Sequence, residues 1–353
     1  MIICRTPFRI SFFGGGTDYP AWYRAHGGAV LATTIDKYCY LTCRYLPPFF
    51  EHRIRLVYRK IETCKTVDEI KHPAVREVLK YLNIDRGIEL HHDGDLPARS
   101  GMGSSSAFTV GLLHALYSLT GKMPSRKQLA AESIHIEQEV LHETVGSQDQ
   151  VMAAYGGISH VRFQPSGEIV VAPLTLSHGR AAELHSHLML FYTGIMRTAS
   201  DVAKSYAADL ELRSRQLRLM KDLVDEGIAI LTSGQDIQKF GQLLHEAWQA
   251  KRSLSAKVSN SEVDGLYERA RSAGALGGKL TGAGGGGFLL LFAPPDKHQA
   301  IAAELDQVIQ VPFQFEAGGS QIIFYEPDID YREAEAARRN RPAIIFREFS
   351  DAA

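Results

Sequence analysis

The chain has 353 residues and is 45% hydrophobic, which is ample for a buried core and long for a single one, so two domains are expected. Its formal net charge is −1, so no basic surplus supports nucleic acid as the main partner. The start, Met1-Ile-Ile-Cys-Arg, lacks a charged-then-apolar leader, and no window reaches the roughly 18 apolar residues of a membrane helix; a soluble, cytoplasmic chain without a membrane partner is expected.

Runs rich in β-branched and aromatic residues predict strands over 2–13, 29–35, 37–45 and 53–58, then a short helix over 75–82 and a strand over 87–92. A Gly/Ser loop at 100–106 opens an apolar helix to about residue 119, and Ser125 suits the N-cap of another helix to about residue 142. Gly156-Gly157 breaks the pattern before a strand at 158–163. Residues 171–185 read as a domain boundary, followed by a strand at 188–192 and helices near 200–231, 237–251 and 263–273. A strand at 288–292, a helix at 297–308 and two terminal strands complete the order, with a charged tail from about Asp328. Strands and helices mix without strict βαβ alternation, which predicts an α+β fold in both halves, divided as 1–185 and 186–353.

Cys4, Cys39, Cys43 and Cys64 all lie in the first fifth and read as reduced, apolar fillers rather than a zinc set. His91, His92, His135 and His142 read as ordinary core or surface histidines, since no third ligand has suitable spacing.

The sharpest local signal is Leu96-Pro-Ala-Arg-Ser-Gly-Met-Gly-Ser-Ser-Ser-Ala107. Gly101 and Gly103 let the backbone approach a ligand, and the helix that follows presents free N–H groups and its positive dipole end, which suits phosphate. Serine hydroxyls there can also meet phosphate oxygens or magnesium. The pattern lacks the Lys-Ser/Thr of a P-loop and the glycine spacing of a dinucleotide site; a plain helix-capping turn is the bland alternative. A second run, Gly282 to Gly287 with Ala283, forfeits much backbone entropy, which a close approach to a ligand or to another backbone explains. A third segment, Pro7-Phe-Arg-Ile-Ser-Phe-Phe-Gly-Gly-Gly-Thr-Asp-Tyr-Pro20, offers Asp18 as an acceptor for polyol hydroxyls. Arg9 stands there as an isolated charge in the apolar run from Pro7 to Phe13, where a charge is usually paired or functional; an edge-strand surface charge is the bland alternative.

In this order the three segments resemble the three motifs of the GHMP kinases (galacto-, homoserine, mevalonate and phosphomevalonate kinases), from Arg5 to about Phe292. The first motif is similar to that of bacterial heptose-7-phosphate kinases, with the fucose-kinase domain further off. It departs from galactokinase, which has Gly-Glu-His-Thr-Asp where this chain has Gly14-Gly-Gly-Thr-Asp18.

The resemblance implies a ribosomal-protein-S5-like N-terminal domain, a ferredoxin-like C-terminal domain, ATP and Mg²⁺ as cofactors, and a sugar phosphate as partner. ATP would lie on Pro97, Arg99, Ser100, Gly101, Met102, Gly103, Ser104, Ser105 and Ser106. Asp149 would be the base and Arg9 its charge partner at the phosphoryl group; Ser105 and Glu137 would hold magnesium. Gly15, Gly16, Thr17, Asp18 and Tyr19 would hold the sugar, with Gly284, Gly285 and Gly286 closing on it. If the substrate carries a phosphate at its far end, Arg197 and Lys204, at a helix start, are the candidates to meet it; exposed helix-terminal charges are the alternative. Helical spacing places Ala130, Ile134, Glu137 and Leu141 on one face, pointing Glu137 inward, while Glu139 on a polar face is the second choice for the metal. The implied reaction gives a heptose 1,7-bisphosphate for GDP-heptose and surface-polysaccharide synthesis. The alternatives are a fucose-, galactose- or mevalonate-type kinase, or a silent sugar and nucleotide sensor. A homodimer is left open.

Overall fold

β1 (Ile2–Phe13) alternates between buried and half-buried for four residues, then is buried on both faces. Such a strand must be sandwiched. It lies between β2 (Gly28–Tyr45) and the C-terminal β13 (Gln321–Tyr325), antiparallel to both. The computed structural model describes residues 1–98, 100–195, 202–205, 210–326 and 331–339.

Helix α1 (Pro20–His26) follows β1. After β2 come β3 (Ile54–Val57), β4 (Ile61–Cys64), α2 (Pro73–Tyr81) and β5 (Ile88–Gly94). Then follow α3 (Ser104–Leu119), α4 (Arg126–His135), α5 (Gln148–Tyr155), β6 (Ile158–Phe163) and β7 (Ile169–Pro173). Among the described residues the first sheet runs β13-β1-β2-β5-β3-β4. On β2 also pair β6, which carries β7, and the short β12 (Phe315–Glu316). The helix α3 is buried along most of its length and packs on β1 and β2, so it is apolar all round rather than amphipathic.

The second sheet is antiparallel, in the order β11-β8-β10-β9: β8 (Leu188–Tyr192), β9 (Gly277–Leu280), β10 (Phe288–Phe292) and β11 (Ile309–Gln310). Its helices are α6 (His178–Ser186), α7 (Ser214–Thr232), α8 (Gln238–Arg252), α9 (Ser261–Ser272) and α10 (His298–Glu304), and α11 (Arg332–Arg339) ends the described chain. The two halves meet through aromatic side chains: Phe240 of α8 lies edge-on to Phe12 at 5.4 Å and to Phe13 at 5.0 Å. Burying rings of that size contributes a few kcal/mol each, so the seam is a core and not a loose hinge.

Four differences from the sequence reading have clear causes. The strands expected at 29–35 and 37–45 are one strand, because β2 bends at a register shift opposite Pro7/Phe8 without breaking. From the second half of the sequence, β12 and β13 return to pair with β2 and β1 of the first sheet, a pairing of strands more than 270 residues apart that no local pattern announces. The helix from Ser125 changes to a π turn over Ile136–Val140, so the simple 3.6-residue face ends at Ile136 even though Glu137 is fully buried. And α5, between Gly146 and Gly156, was not anticipated. The four cysteines are buried thiols, and no helix among the described residues is long and apolar enough to cross a membrane.

Candidate active site

The Gly/Ser loop folds back onto β1: the Arg9 amide donates to the Met102 carbonyl at 3.1 Å. Gly101 and Gly103 take φ of 81° and 74°, a region that favours glycine. At Gly101 the reason is also steric, because a Cβ there would sit 2.6 Å from the Thr281 carbonyl oxygen. The second glycine run therefore touches the first, backbone to backbone, at Gly101 and Gly282. From this seam α3 begins, and Ser104, Ser105 and Ser106 line a cleft together with Arg9, Asp18 and Asp149. A helix start and hydroxyls at one spot have the chemistry that suits a phosphate.

Arg9 is 3% exposed and is bound on three sides. Its Nε donates to Asp149 Oδ1 and its Nη2 to Asp149 Oδ2, both at 2.7 Å, and its Nη1 donates to the Gly101 carbonyl at 2.7 Å. This two-pronged pair fixes the carboxylate plane at the cleft wall, where Asp149 remains 26% exposed. A buried guanidinium without such a partner would cost several kcal/mol.

Asp149 stands in the first turn of α5, and that helix is capped from 130 residues away. Asp18 Oδ2 accepts from the Gln148 amide at 3.2 Å, and its main-chain carbonyl accepts from the Ser147 amide at 2.9 Å. Asp18 Oδ1 accepts from the Gly16 amide at 2.8 Å. Burial raises the Asp18 carboxyl above its ordinary range, with these backbone donors opposing the shift. Each oxygen keeps a lone pair for a further donor.

Behind the serines lies Glu137, which is 0% exposed. Its Oε2 accepts from Ser106 Oγ at 2.9 Å and from Gln150 Nε2 at 2.5 Å, the Thr109 hydroxyl also lies beside the carboxylate, and Oε1 is buried without a well-formed hydrogen bond. Burial pushes this carboxyl up to about 7. A carboxylate oxygen without a full partner, behind the hydroxyls that line the cleft, fits a hard cation that takes few protein oxygens plus phosphate.

Residues 68–157 match the GHMP kinases N terminal domain and residues 220–309 match the GHMP kinases C terminal, together more than half of the chain. The chain belongs to the GHMP kinases. A D-glycero-alpha-D-manno-heptose 7-phosphate kinase of Campylobacter jejuni is 29% identical over 83% of this chain and 89% of its own length. Among solved structures, a D-glycero-D-manno-heptose 1-phosphate kinase from Bacteroides thetaiotaomicron superposes with a TM-score of 0.76 at 21% identity, over 92% of this chain and all of its own. A Lactococcus lactis galactokinase complexed with galactose superposes with a TM-score of 0.70 at 19% identity, over 91% and 94%. At those identities the structures show the fold alone.

The kinase brings Arg9, Gly101, Gly103, Ser104, Ser105, Ser106, Asp149, Gly15, Gly16, Asp18 and Tyr19 to one cleft. Other expected residues lie elsewhere. It is the Ser106 hydroxyl, not that of Ser105, that meets Glu137, because adjacent serines on a helix point about 100° apart; Ser105 is exposed at the cleft. Glu139 is exposed. Thr17 is buried and donates to the Gly14 and Ala29 carbonyls, so it holds the turn and does not line the cleft. Ser100 and Met102 are buried in the loop's support, and Pro97 is exposed outside the cleft. In the glycine run, Gly282 and Ala283 face the cleft; Gly284 packs against Val258, Gly285 donates to its carbonyl, and Gly286 packs against Ile195. There the absence of side chains serves backbone packing. Lys204 is exposed, one residue after Ala203 of the cleft wall, while Arg99 and Arg197 lie outside the described residues.

Several buried polar groups at or near the cleft are not singled out by the sequence. Ser11 Oγ and Gln148 Oε1 line the cleft, buried and without partners. Two buried lysines come from the second half: Lys279 Nζ donates to the Phe12 carbonyl at 2.9 Å and ties β9 to β1, and Lys251 reaches the cleft from α8. The isolated Lys279 beside the glycine run was visible in sequence as a charge within an apolar stretch, the same signal that singled out Arg9.

Proposed function

We propose that this kinase transfers the γ-phosphoryl group of ATP to the anomeric hydroxyl of D-glycero-D-manno-heptose 7-phosphate, giving the 1,7-bisphosphate. The observation that carries the reading is the Arg9–Asp149 pair, locked at 2.7 Å beside the start of α3 and in one cleft with Asp18. Asp149 orients the sugar hydroxyl and takes its proton as the oxygen attacks; Arg9 keeps the carboxylate in place and offsets charge on the transferring group. The α3 N-terminus and its serines hold the nucleotide phosphates. Glu137 with Ser105 and Ser106 would hold Mg²⁺, which when bound neutralises charge on the phosphate oxygens. Asp18, with the unpartnered Ser11 Oγ and Gln148 Oε1, offers the acceptors and donors that a polyol demands and a purely apolar substrate would leave unsatisfied.

The similarity of the first motif to heptose-7-phosphate kinases, and of the whole chain to the C. jejuni protein, supports a heptose 7-phosphate over an unphosphorylated hexose. ATP consumption with mannoheptose 7-phosphate, galactose, fucose and mevalonate tests the reading. Turnover on the heptose phosphate must exceed the others by orders of magnitude; preferential turnover of galactose, fucose or mevalonate would overturn the substrate assignment.

The sugar side also has a steric test. A Cβ at Gly146 would fall 1.9 Å from Asp18 Oδ2, and Asp18 has no room to retreat at 1% exposure. Gly146→Ala is expected to raise the sugar KM by about 10- to 100-fold, since displacement of a positioning group by ~1 Å costs that much, and to leave AMP-PNP affinity unchanged. Equal losses for sugar and nucleotide would show that Asp18 does not belong to the sugar subsite.

A further inference from the structure

Lys251 sits in the last turn of α8, where a basic residue ordinarily caps the helix in solvent. Here it is 4% exposed and reaches the cleft instead. Its ammonium donates to the Gly282 carbonyl, and no ion pair involves it among the described residues. Gly282 abuts Gly101, whose own carbonyl accepts from Arg9 Nη1 at 2.7 Å. Two cations from opposite halves of the molecule thus flank one glycine seam, and the seam borders the start of α3. Arg9 already has its carboxylate, while Lys251 keeps two of its three N–H donors for something else. Burial, then the nearby Arg9 charge, lowers the Lys251 ammonium to about 8, against the opposing pull of Asp18 and Asp149. A buried cation with only a carbonyl partner calls for an anion in the cleft.

We propose that Lys251 is a catalytic residue that binds the γ-phosphoryl group of ATP across the glycine seam from Arg9. This rests on the kinase reading above. As the sugar oxygen bonds to phosphorus and the bond to the β-phosphate oxygen breaks, the sugar proton passes to Asp149; Lys251 keeps its proton throughout and stabilises the phosphoryl oxygens. Because the lysine comes from the second half of the chain, it also makes the seating of α8 against β1 a condition for turnover.

The rival role is structural, holding the Gly282 turn through one hydrogen bond. Lys251→Gln keeps a donor for the Gly282 carbonyl and removes the charge; Lys251→Arg keeps both. The Gln variant is expected to lose about 10²- to 10³-fold in kcat. It should also lose about 10- to 100-fold in affinity for AMP-PNP while ADP binds as to the wild type. The Arg variant should regain most of the triphosphate preference. A folded Gln variant with unchanged kcat and an unchanged AMP-PNP to ADP ratio, or one losing both nucleotides equally, overturns the proposal. If the Gln variant does not fold, the wild type decides: with ¹³C-labelled lysine, and the Arg variant for assignment, the Lys251 Cε resonance must move on AMP-PNP and stay on ADP. A wild type that phosphorylates no sugar defeats the substrate reading, while the nucleotide ratio still reports on Lys251.

Discussion

Asp149→Asn is expected to lower kcat by about 10³-fold, since a positioned base contributes 10²- to 10⁴-fold, with nucleotide affinity retained. The substitution keeps the side-chain shape and one acceptor for Arg9. It turns an amide N–H₂ toward the other guanidinium nitrogen, where Oδ1 and Oδ2 each now accept at 2.7 Å. Two effects then add. The sugar hydroxyl loses its proton acceptor, and Arg9, 3% exposed, loses its counter-charge. Removing one partner of a buried pair costs up to about 3–5 kcal/mol, so the melting temperature should also fall by several degrees. Sugar-dependent ADP formation, measured beside AMP-PNP binding and a melt, separates the two. An Asn variant that keeps more than a tenth of wild-type kcat removes Asp149 from the proton transfer.

Glu137→Gln should separate stability from function in the opposite direction. The folded chain holds the Glu137 carboxyl at about 7, against an ordinary value of 4.5, because the group is fully buried. Between those values the folded state binds more protons than the unfolded state. Stability is therefore full below about pH 4.5 and is lost as pH rises to about 7, by roughly 3 kcal/mol. Above pH 7 the metal-free wild type carries that penalty and the Gln variant does not. Gln leaves its N–H₂ unpartnered where Oε1 now sits, which takes back about 1–2 kcal/mol. The net expectation is a metal-free variant about 1–2 kcal/mol more stable than the wild type at pH 8 and no more stable at pH 4.5. The same variant should need far more Mg²⁺ for turnover. Thermal melts at the two pH values and a magnesium titration check this; an unchanged magnesium requirement would place the ligand elsewhere.

Much of this site could be read from local sequence because its parts are local. An arginine isolated in the apolar run from Pro7 to Phe13, two glycines flanking Met102 and a serine-tipped helix each declare their chemistry within a dozen residues. What stayed hidden depends on partners distant in the chain. The eight-residue α5 is too short for a period, and its N-terminus is set by Asp18, 130 residues away. Three consecutive serines look alike in sequence; only the helix phase sends Ser106 to Glu137 and leaves Ser105 at the cleft. Lys251 reads as a solvated C-terminal charge until α8 is packed against the glycine seam. The glycine run admits a close approach to a ligand or to another backbone, and only the fold shows Gly284 and Gly286 packed against Val258 and Ile195. Composition carries no hint that β12 and β13 complete the first sheet.

A crystal structure with Mg²⁺, AMP-PNP and mannoheptose 7-phosphate shows whether nucleotide, metal and sugar meet in this one cleft. The γ-phosphate is expected between the start of α3 and the Arg9–Asp149 pair, the metal on Glu137, and the anomeric hydroxyl on Asp149. A nucleotide bound with its phosphates away from Ser104–Ser106, or a sugar whose anomeric hydroxyl does not reach Asp149, would contradict it.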